Sequence, residues 1–594
     1  MKKFTMLSSV LASALMLTVA SCSSSDDITG GNGGENAEGS TSYLVINLNS
    51  VGNAPASRAY EQGGGKYDDG ETLENKINKV RFYFYNADGT AYKLQNTGTN
   101  GGAQNWIDQT VTTENGDQSV TVSGKTQAVL VLNGESNVSP ASMLAVVNPE
   151  VGSSQLDENM VSRWSKMRTE LTGQTFHNEN GFVMTNSTYE DGGKDLCTTL
   201  LAGRTYSTKD KALGNPVDVY VERINAKVKA SIAADNTNFE KVTTDVKLDG
   251  VNFNGKYKTK VGDLTVTNSD GSTDNISVFA YIEAWGVADE NDQATYYKQI
   301  DVQNWTDATL GFDGTPTPWS SRDYHRCFWA KGVAFGGTNP VHNPANHPFS
   351  EYKAKLGDAL YTLPNTPTNY LGTTGKAYDD PMNSELTKFL VTARLAYTDA
   401  SSNILPAEIC TYKGQKFLGQ NNVKKVIAKE LDTYYKKSTS AAGTYEKIEP
   451  TDIEFSTTTE GSLKLQDYQV VANLKNITEL YRMSGGSYVA ADMAVVKKDL
   501  QAVPVEIHNG GRTYYYTPIK HLGKKGSIAE YGIVRNHSYQ VELNSIKGFG
   551  TPVYDPDKKI VPVVPSDDLT YLAARINVLS WRVVPSKVDL DATK

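Results

Sequence analysis

The residues that could do chemistry in this chain are few, and their spacing limits what they can do. Ser123-Gly124-Lys125-Thr126 ends like a phosphate-binding loop, but such a loop needs a glycine where Ser119 stands. The stretch then runs into a strand-like segment instead of opening a helix, so no helical N–H groups would cradle an anion. His342 and His347 lie in Val-His-Asn-Pro-Ala-Asn-His-Pro. The prolines preclude the helical face on which two histidines chelate a metal, and no Glu or Cys beside them is read as completing a site. His325 and Cys327 stand two apart in Tyr-His-Arg-Cys-Phe-Trp. A thiol nucleophile there needs a third, orienting group, and a buried packing cysteine is the simpler reading. There is no GxSxG elbow and no GxGxxG after a strand. Carboxylates are plentiful but scattered, so no glycosidase pair can be located. The chain reads as non-enzymatic, with no cofactor and no metal.

Composition narrows the classes further. With 58 Lys and Arg against 67 Asp and Glu, the net charge is −9, which argues against a nucleic-acid binder. The four cysteines, Cys22, Cys197, Cys327 and Cys410, show no CxxC spacing, so disulfide scaffolds and zinc ribbons are excluded. Cys22 stands apart from the rest. Lys2 and Lys3 precede an apolar run from Met6 to Ala20, too short to span a bilayer and built like a secretory signal. The run ends Leu17-Thr18-Val19-Ala20-Ser21-Cys22, which resembles a bacterial lipobox and marks Cys22 for lipidation. Residues 23–41 are polar and Gly-rich, a tether. Asp26 and Asp27 in it are similar to the acidic surface-export signal of Bacteroidales lipoproteins.

The 594 residues suffice for two or three domains, and the elements that would position these groups read mostly as strands. Tyr43 to Asn49 is a short β segment, and Val80–Tyr85 runs into an Asn-Ala-Asp-Gly turn. Gln127–Asn133 is a buried-strand run, and Leu156, Met160, Trp164, Met167 and Leu171 follow helical spacing. The Gly/Asn/Pro stretch at 213–216 reads as a domain boundary, with Val217, Val219 and Val221 opening the second block. Phe389–Leu395 and Tyr514–Ile519 are further strands, and Val423–Tyr435 is an amphipathic helix. Segments 255–380 and 436–465 are polar and poorly periodic, and read as long loops or insertions. The expected fold is mainly β, two sandwich-like domains with a few covering helices.

The last eighty residues carry the most specific signal. Tyr514-Tyr515-Tyr516-Thr517-Pro518 is followed by Tyr531-Gly532-Ile533-Val534-Arg535-Asn536-His537-Ser538-Tyr539, then Ile546-Lys547-Gly548-Phe549-Gly550-Thr551-Pro552, then Ile576-Asn577-Val578-Leu579-Ser580-Trp581. Upstream stand Phe182–Ser187 and Val221-Glu222-Arg223-Ile224-Asn225-Ala226-Lys227-Val228. The series resembles Mfa-type fimbrillins, the stalk subunits of Bacteroidales fimbriae. The resemblance implies two transthyretin-like β-sandwich domains, completed by donor-strand exchange between subunits. It implies an outer-membrane lipoprotein precursor, held there by its lipid, that a surface trypsin-like protease cuts after a basic residue. Arg58 is the only basic residue between Lys3 and Lys66, so the cut falls between Arg58 and Ala59, with Lys66 as the alternative. The implied partners are copies of the chain in a surface filament, together with anchor and tip subunits, and the implied role is in adhesion and biofilm formation. An anchor or accessory subunit is the alternative, as is a surface glycan-binding lipoprotein, for which neither an aromatic platform nor paired carboxylates is visible as a cluster.

On this reading residues 1–21 are the signal, 22–58 the lipidated tether and propeptide, 59–215 the first domain, 216–565 the second, and 566–594 the donor segment. Removing Tyr43, Leu44, Val45, Ile46 and Leu48 would leave an unpaired sheet edge and an apolar groove. The tail carries Leu579, Trp581 and Val583 on one face and Ile576 and Val578 on the other, with Val588 and Leu590 beyond Pro585. Burying about five such side chains at ~1.5–3 kcal/mol each offers on the order of 10 kcal/mol before ordering costs. Head-to-tail donation does not close on itself and yields a filament. The Val561-Pro562-Val563-Val564-Pro565 spacer would carry the tail away from its own domain.

Overall fold

β-branched and aromatic runs form the strands, and the protein is mainly β with few helices. The computed structural model describes residues 15–16, 41–50, 70–95, 103–110, 126–134, 139–152, 176–186, 189–191, 194–195, 199–201, 203–267, 270–291, 298–299, 345–365, 385–459, 464–521, 531–562, 571–580 and 582–583. The helix read at Leu156–Leu171 lies outside them.

The amino-terminal sheet runs Thr126–Asn133, Thr41–Ser50, Val217–Arg223, Met184–Asn186, Ser142–Val147, Lys79–Tyr85, Trp106–Thr110, with Leu15–Met16 beside the first of these. Its middle is apolar on both faces. Leu44, Ile46, Phe82, Phe84, Leu130 and Val219 fill one side, and Tyr83, Tyr85, Leu144 and Val146 the other. Strands covered on both sides lose the in–out alternation and become continuous apolar runs, as Ser142–Val147 does.

Val217–Arg223 belongs to this first sheet, pairing with Thr41–Ser50 and Met184–Asn186. The chain crosses over only at Ile224–Asn225, because Ala226–Ile232 pairs in the second sheet system. The boundary read at 215/216 therefore comes nine residues too early. Gly214 there caps the short helix Lys209–Leu213 inside the first domain, so the turn signal was real but marked a helix end.

The second domain packs two sheets face to face. One runs Ala359–Thr362, Ala226–Ile232, His537–Lys547, Tyr571–Ser580, Arg582–Val583. The other runs Glu240–Lys241, Tyr257–Thr267, Thr273–Ala288, Lys388–Thr398, Arg512–Pro518, Thr551–Pro552. Val228, Val541 and Leu543 from the first share one core with Val278, Ile282, Val391 and Tyr515 from the second. Two long strands of this sandwich, Tyr257–Thr267 and Thr273–Ala288, occupy part of the stretch read as loop. In Tyr257–Thr267, Thr259 and Val261 are buried as far as a register shift at Lys260/Gly262, and Leu264 and Val266 after it, with Lys260, Asp263 and Thr265 exposed; the shift and the polar outward face hid the strand.

A third unit is inserted between Ile409 and Ile507. It has its own core, including Cys410, Phe417, Val423, Ile427, Val470, Leu480, Val496 and Val505. Its sheets run Gln415–Leu418, Ile409–Tyr412, Val505–Ile507, Gln469–Leu474, Ile453–Ser456, and Tyr445–Lys447, Tyr434–Lys437, Leu480–Ser484, Ser487–Ala491. The segment read as loop at 436–465 thus contributes three strands. The helix expected at Val423–Tyr435 is Gln420–Glu430, with Val423 and Ile427 buried. Tyr434 has already passed into the next strand.

Candidate functional site

The strand Thr41–Ser50 contains the residues that the sequence reading marks as removable. Thr41–Leu48 pairs antiparallel with Thr126–Asn133. On its other side Ile46–Ser50 pairs parallel with Val217–Val221, and Tyr43 exchanges backbone bonds of 2.7 and 2.9 Å with Tyr206. It is an interior strand, not an edge. Its loss would leave a slot with two hydrogen-bonding walls instead of the single unpaired edge expected from sequence. Leu44, Val45 and Ile46 are wholly buried, at ~1.5–3 kcal/mol each. Leu48 stands in register with Thr126 and Val219.

Arg58, Ala59 and Lys66 lie in residues 51–69, outside the described residues, as does Cys22. From Gly70 the chain is held firmly. The Glu74 carboxylate meets the Lys227 ammonium at 2.6 Å, both buried, and accepts the Tyr361 hydroxyl at 2.5 Å. Burial first, and the Glu74 bond second, push the Tyr361 phenol well above its ordinary range. Arg223 donates to the Glu74 carbonyl at 2.7 Å, to Asn75 Oδ1, and to Asn536 Oδ1 at 3.1 Å. Glu74 and Asn75 thus bind the segment just after residues 51–69 to the junction of the two domains.

At the far end, Tyr571–Ser580 pairs antiparallel with His537–Lys547, placing Ile576 opposite Val541, Val578 opposite Tyr539 and Leu579 opposite Ser538. Arg582–Val583 turns back on Leu579 and Ser580. The tail read as leaving its own domain is therefore split. Its first part closes the edge of its own sheet, which would otherwise stand open beside His537–Lys547. Trp581, Val588 and Leu590 lie outside the described residues.

Residues 506–586 match the family model described as "Major fimbrial subunit protein type IV, Fimbrillin, C-terminal". The match to this fimbrillin model covers the part of the chain that holds the Tyr514–Pro518, Tyr531–Tyr539 and Ile546–Pro552 motifs. No curated protein matches the chain. Solved structures that align with it include a candidate cell adhesion protein from Parabacteroides distasonis, at 11% identity over 91% of this chain and 98% of that one, with a TM-score of 0.35. The tip fimbrial protein Mfa3 from Porphyromonas gingivalis, truncated at its carboxy terminus, aligns at 10% identity over 91% and 100%, TM-score 0.27. A fimbrial assembly protein from Parabacteroides distasonis aligns at 10% over 62% and 85%, TM-score 0.25. At these scores the superpositions carry no conclusion.

The fimbrillin region explains its own motifs. Asn536, which takes the Arg223 bond, also donates its N–H to the Asn225 carbonyl at 2.9 Å, and Arg535 donates to Thr185 Oγ1 at 3.2 Å. The Tyr531–Tyr539 series is thus the second domain's half of the junction. Tyr539 OH takes the Val534 N–H at 2.8 Å and lies 3.0 Å from His521 Nδ1. Gly550 has φ +74°, and a Cβ there would collide with Thr513 Oγ1, so the Gly-Phe-Gly-Thr run has a steric cause.

The remaining reactive candidates do not converge. His342, His325, Cys327 and Cys197 lie outside the described residues. His347 is not without carboxylates, as its sequence neighbourhood was read. Its ring nitrogens face Glu290 at 3.7 Å and Glu351 at 3.4 Å, and the Glu290 contact raises its pKa. No cluster of three or more His, Cys, Asp or Glu able to hold a metal occurs among the described residues. Cys410 is buried, and burial drives its thiol far above the usual range, so it is inert. One cluster escaped the sequence reading: Tyr435, Tyr445, Tyr481 and Tyr488 gather their rings on the inserted unit. Tyr and Lys two residues apart, Tyr435 with Lys437 and Tyr445 with Lys447, were the available signal, since such pairs share one strand face.

Proposed function

We propose that the chain is a structural subunit of a cell-surface fimbrium that polymerises by strand exchange. The precursor is an outer-membrane lipoprotein anchored through Cys22. A surface trypsin-like protease cuts between Arg58 and Ala59, or after Lys66, releasing the lipid together with Tyr43–Leu48. The slot so opened, with Leu44 and Ile46 missing from its core, accepts the tail of a neighbouring copy. Filaments of such copies join anchor and tip subunits and support adhesion and biofilm formation.

One observation carries this reading: an interior strand, with Leu44, Val45 and Ile46 wholly buried, is joined covalently to the rest of its domain through residues 51–69, which contain Arg58 and Lys66. An intact precursor holds that strand as a covalent part of the sheet. A cut chain holds it as a bound peptide, which a competing strand can replace. The incoming strand comes from the end of the tail, Trp581 to Leu590. Ile576, Val578 and Leu579 donate only if the Tyr571–Ser580 strand first leaves its own sheet. An anchor subunit would instead keep its first strand and its lipid.

The test is to treat the lipidated precursor with a trypsin-like protease, measure the mass of the product, and look for filaments by negative stain. The expected product is residues 59–594, assembled in chains. Filaments from an uncut Arg58→Ala/Lys66→Ala chain would sink the reading.

A further inference from the structure

The inserted unit carries a four-stranded sheet that covers its core with one face only. Register sets Tyr435 opposite Lys447 and Tyr481, Lys437 opposite Tyr445, and Met483 opposite Tyr488. Because side chains alternate along a strand, Leu480 and Tyr434 face the unit's core, and these residues take the other side. The rings of Tyr445 and Tyr488, from the two outer strands, stack at 4.1 Å with a 21° tilt. Tyr435 meets Tyr488 edge-on at 4.9 Å, and Tyr481 meets Tyr445 at 4.8 Å. Adjacent strands lie about 4.8 Å apart, so rings three strands apart meet only because the sheet curls across this face. The four rings are half-buried, largely by one another, and belong to none of the apolar cores. Met483 beside them is 50% exposed.

Charge on this face runs against that of the whole chain. The Lys447 ammonium sits 4.5 Å from the Tyr435 ring centroid and bonds only a backbone carbonyl, that of Asp432. The chain as a whole has a net charge of −9. Lys437 lies 5.2 Å from the Tyr481 ring and pairs with Glu479 at 2.6 Å. Glu479 also accepts the Tyr481 hydroxyl at 2.6 Å. The face therefore offers aromatic surfaces, a cation with no carboxylate partner among the described residues, and a set of fixed donors and acceptors, with Met483 and Ala490 as its aliphatic side chains.

We propose that this face binds an acidic glycan. The C–H face of a pyranose, weakly positive, stacks on the tyrosine rings, whose faces are negative. The sugar's carboxylate or sulfate meets Lys447, and Lys437, Glu479 and the phenol groups bond its hydroxyls. An acidic protein segment is the competing occupant, since tyrosines also anchor protein interfaces, and the poly-glutamate arm of the test reads it. This site is separate from strand exchange, and its failure would leave the assembly reading intact.

The test uses the full chain, with binding measured by calorimetry. The probes are a chondroitin sulfate hexasaccharide, trigalacturonate and sialyllactose, which separate sulfate, uronate and sialate sources, against maltohexaose, lactose and a short poly-glutamate. At least one acidic glycan should bind, its neutral counterpart about ten-fold or more weaker, and affinity should fall with added salt. Lys447→Gln should weaken acidic binding about ten-fold without lowering the melting temperature, and Lys447→Arg should restore it. Tyr488→Ala should lose binding and Tyr488→Phe retain most of it. Should Tyr488→Ala unfold the unit, the Lys447 pair alone decides. No acidic binding at millimolar glycan, equal neutral binding, equal poly-glutamate binding, or indifference to Lys447→Gln would each overturn the proposal.

Discussion

Thr41–Ser50 and Tyr571–Ser580 are each ten residues long, yet they are held in opposite ways. The first is bonded along both edges, by Thr126–Asn133 on one side and by Tyr206 and Val217–Val221 on the other. The last has one full partner, His537–Lys547, and among the described residues its other edge is bonded only at Leu579 and Ser580. An interior strand cannot leave without something taking its place, because its departure strands two rows of backbone groups and empties a core. A strand at the rim can leave at the cost of one row. If subunits exchange strands, the asymmetry assigns the roles: the amino-terminal domain must receive and the carboxy-terminal end can give.

The sharpest test of the receiving side is to produce residues 59–594 alone. The amino-terminal domain should fail to fold stably, losing roughly 5–9 kcal/mol from Leu44, Val45 and Ile46, while the second domain melts as before. A synthetic peptide of residues 41–50 should restore its near-ultraviolet dichroism. A stable, unchanged amino-terminal domain would show that the strand is dispensable.

Next in size is the junction. Glu74→Gln should cost ~3–5 kcal/mol by chemical denaturation, since it leaves Lys227 charged and buried. Glu74→Leu with Lys227→Met should cost much less. Because Glu74 sits just past residues 51–69, this variant separates loss of the junction from loss of the first strand.

The giving side is tested by two truncations. Deleting residues 584–594 should change stability by no more than about 1 kcal/mol yet stop filament growth. Deleting 571–594 should also uncover the His537–Lys547 edge, lowering the melting temperature and promoting aggregation. If the two behave alike, the rim strand does not stabilise its own sheet.

A contact belonging to neither strand sets the lower end of the scale. His347 has a pKa raised in the folded state by Glu290. Its contribution is therefore full below the unfolded imidazole pKa of about 6.5 and is lost as pH rises through the raised folded value. His347→Ala should destabilise more at pH 5 than at pH 9, by less than about 1 kcal/mol given its exposure.

Much of the fold was legible where one strand face or both are apolar. Lys79–Tyr85, Thr126–Asn133, Lys388–Thr398 and Arg512–Pro518 all stand where their β-branched and aromatic runs predict. Strands with a polar outer face, such as Tyr257–Thr267, were taken for loops, and with them went the sheet that carries the tyrosine cluster. The turn at Gly214–Pro216 was seen, but not that it ends a helix instead of a domain.

By itself, the sequence determined the β character, the positions of Cys22, Arg58 and Lys66, and the carboxy-terminal motif order, since all of these are local in the chain. Only the tertiary structure decided that Thr41–Ser50 is interior and not an edge, that Tyr571–Ser580 lies in its own sheet, and that four tyrosines from four strands share one face. Strand order is set by contacts between residues far apart in sequence, and periodicity along the chain carries no record of which strand lies beside which.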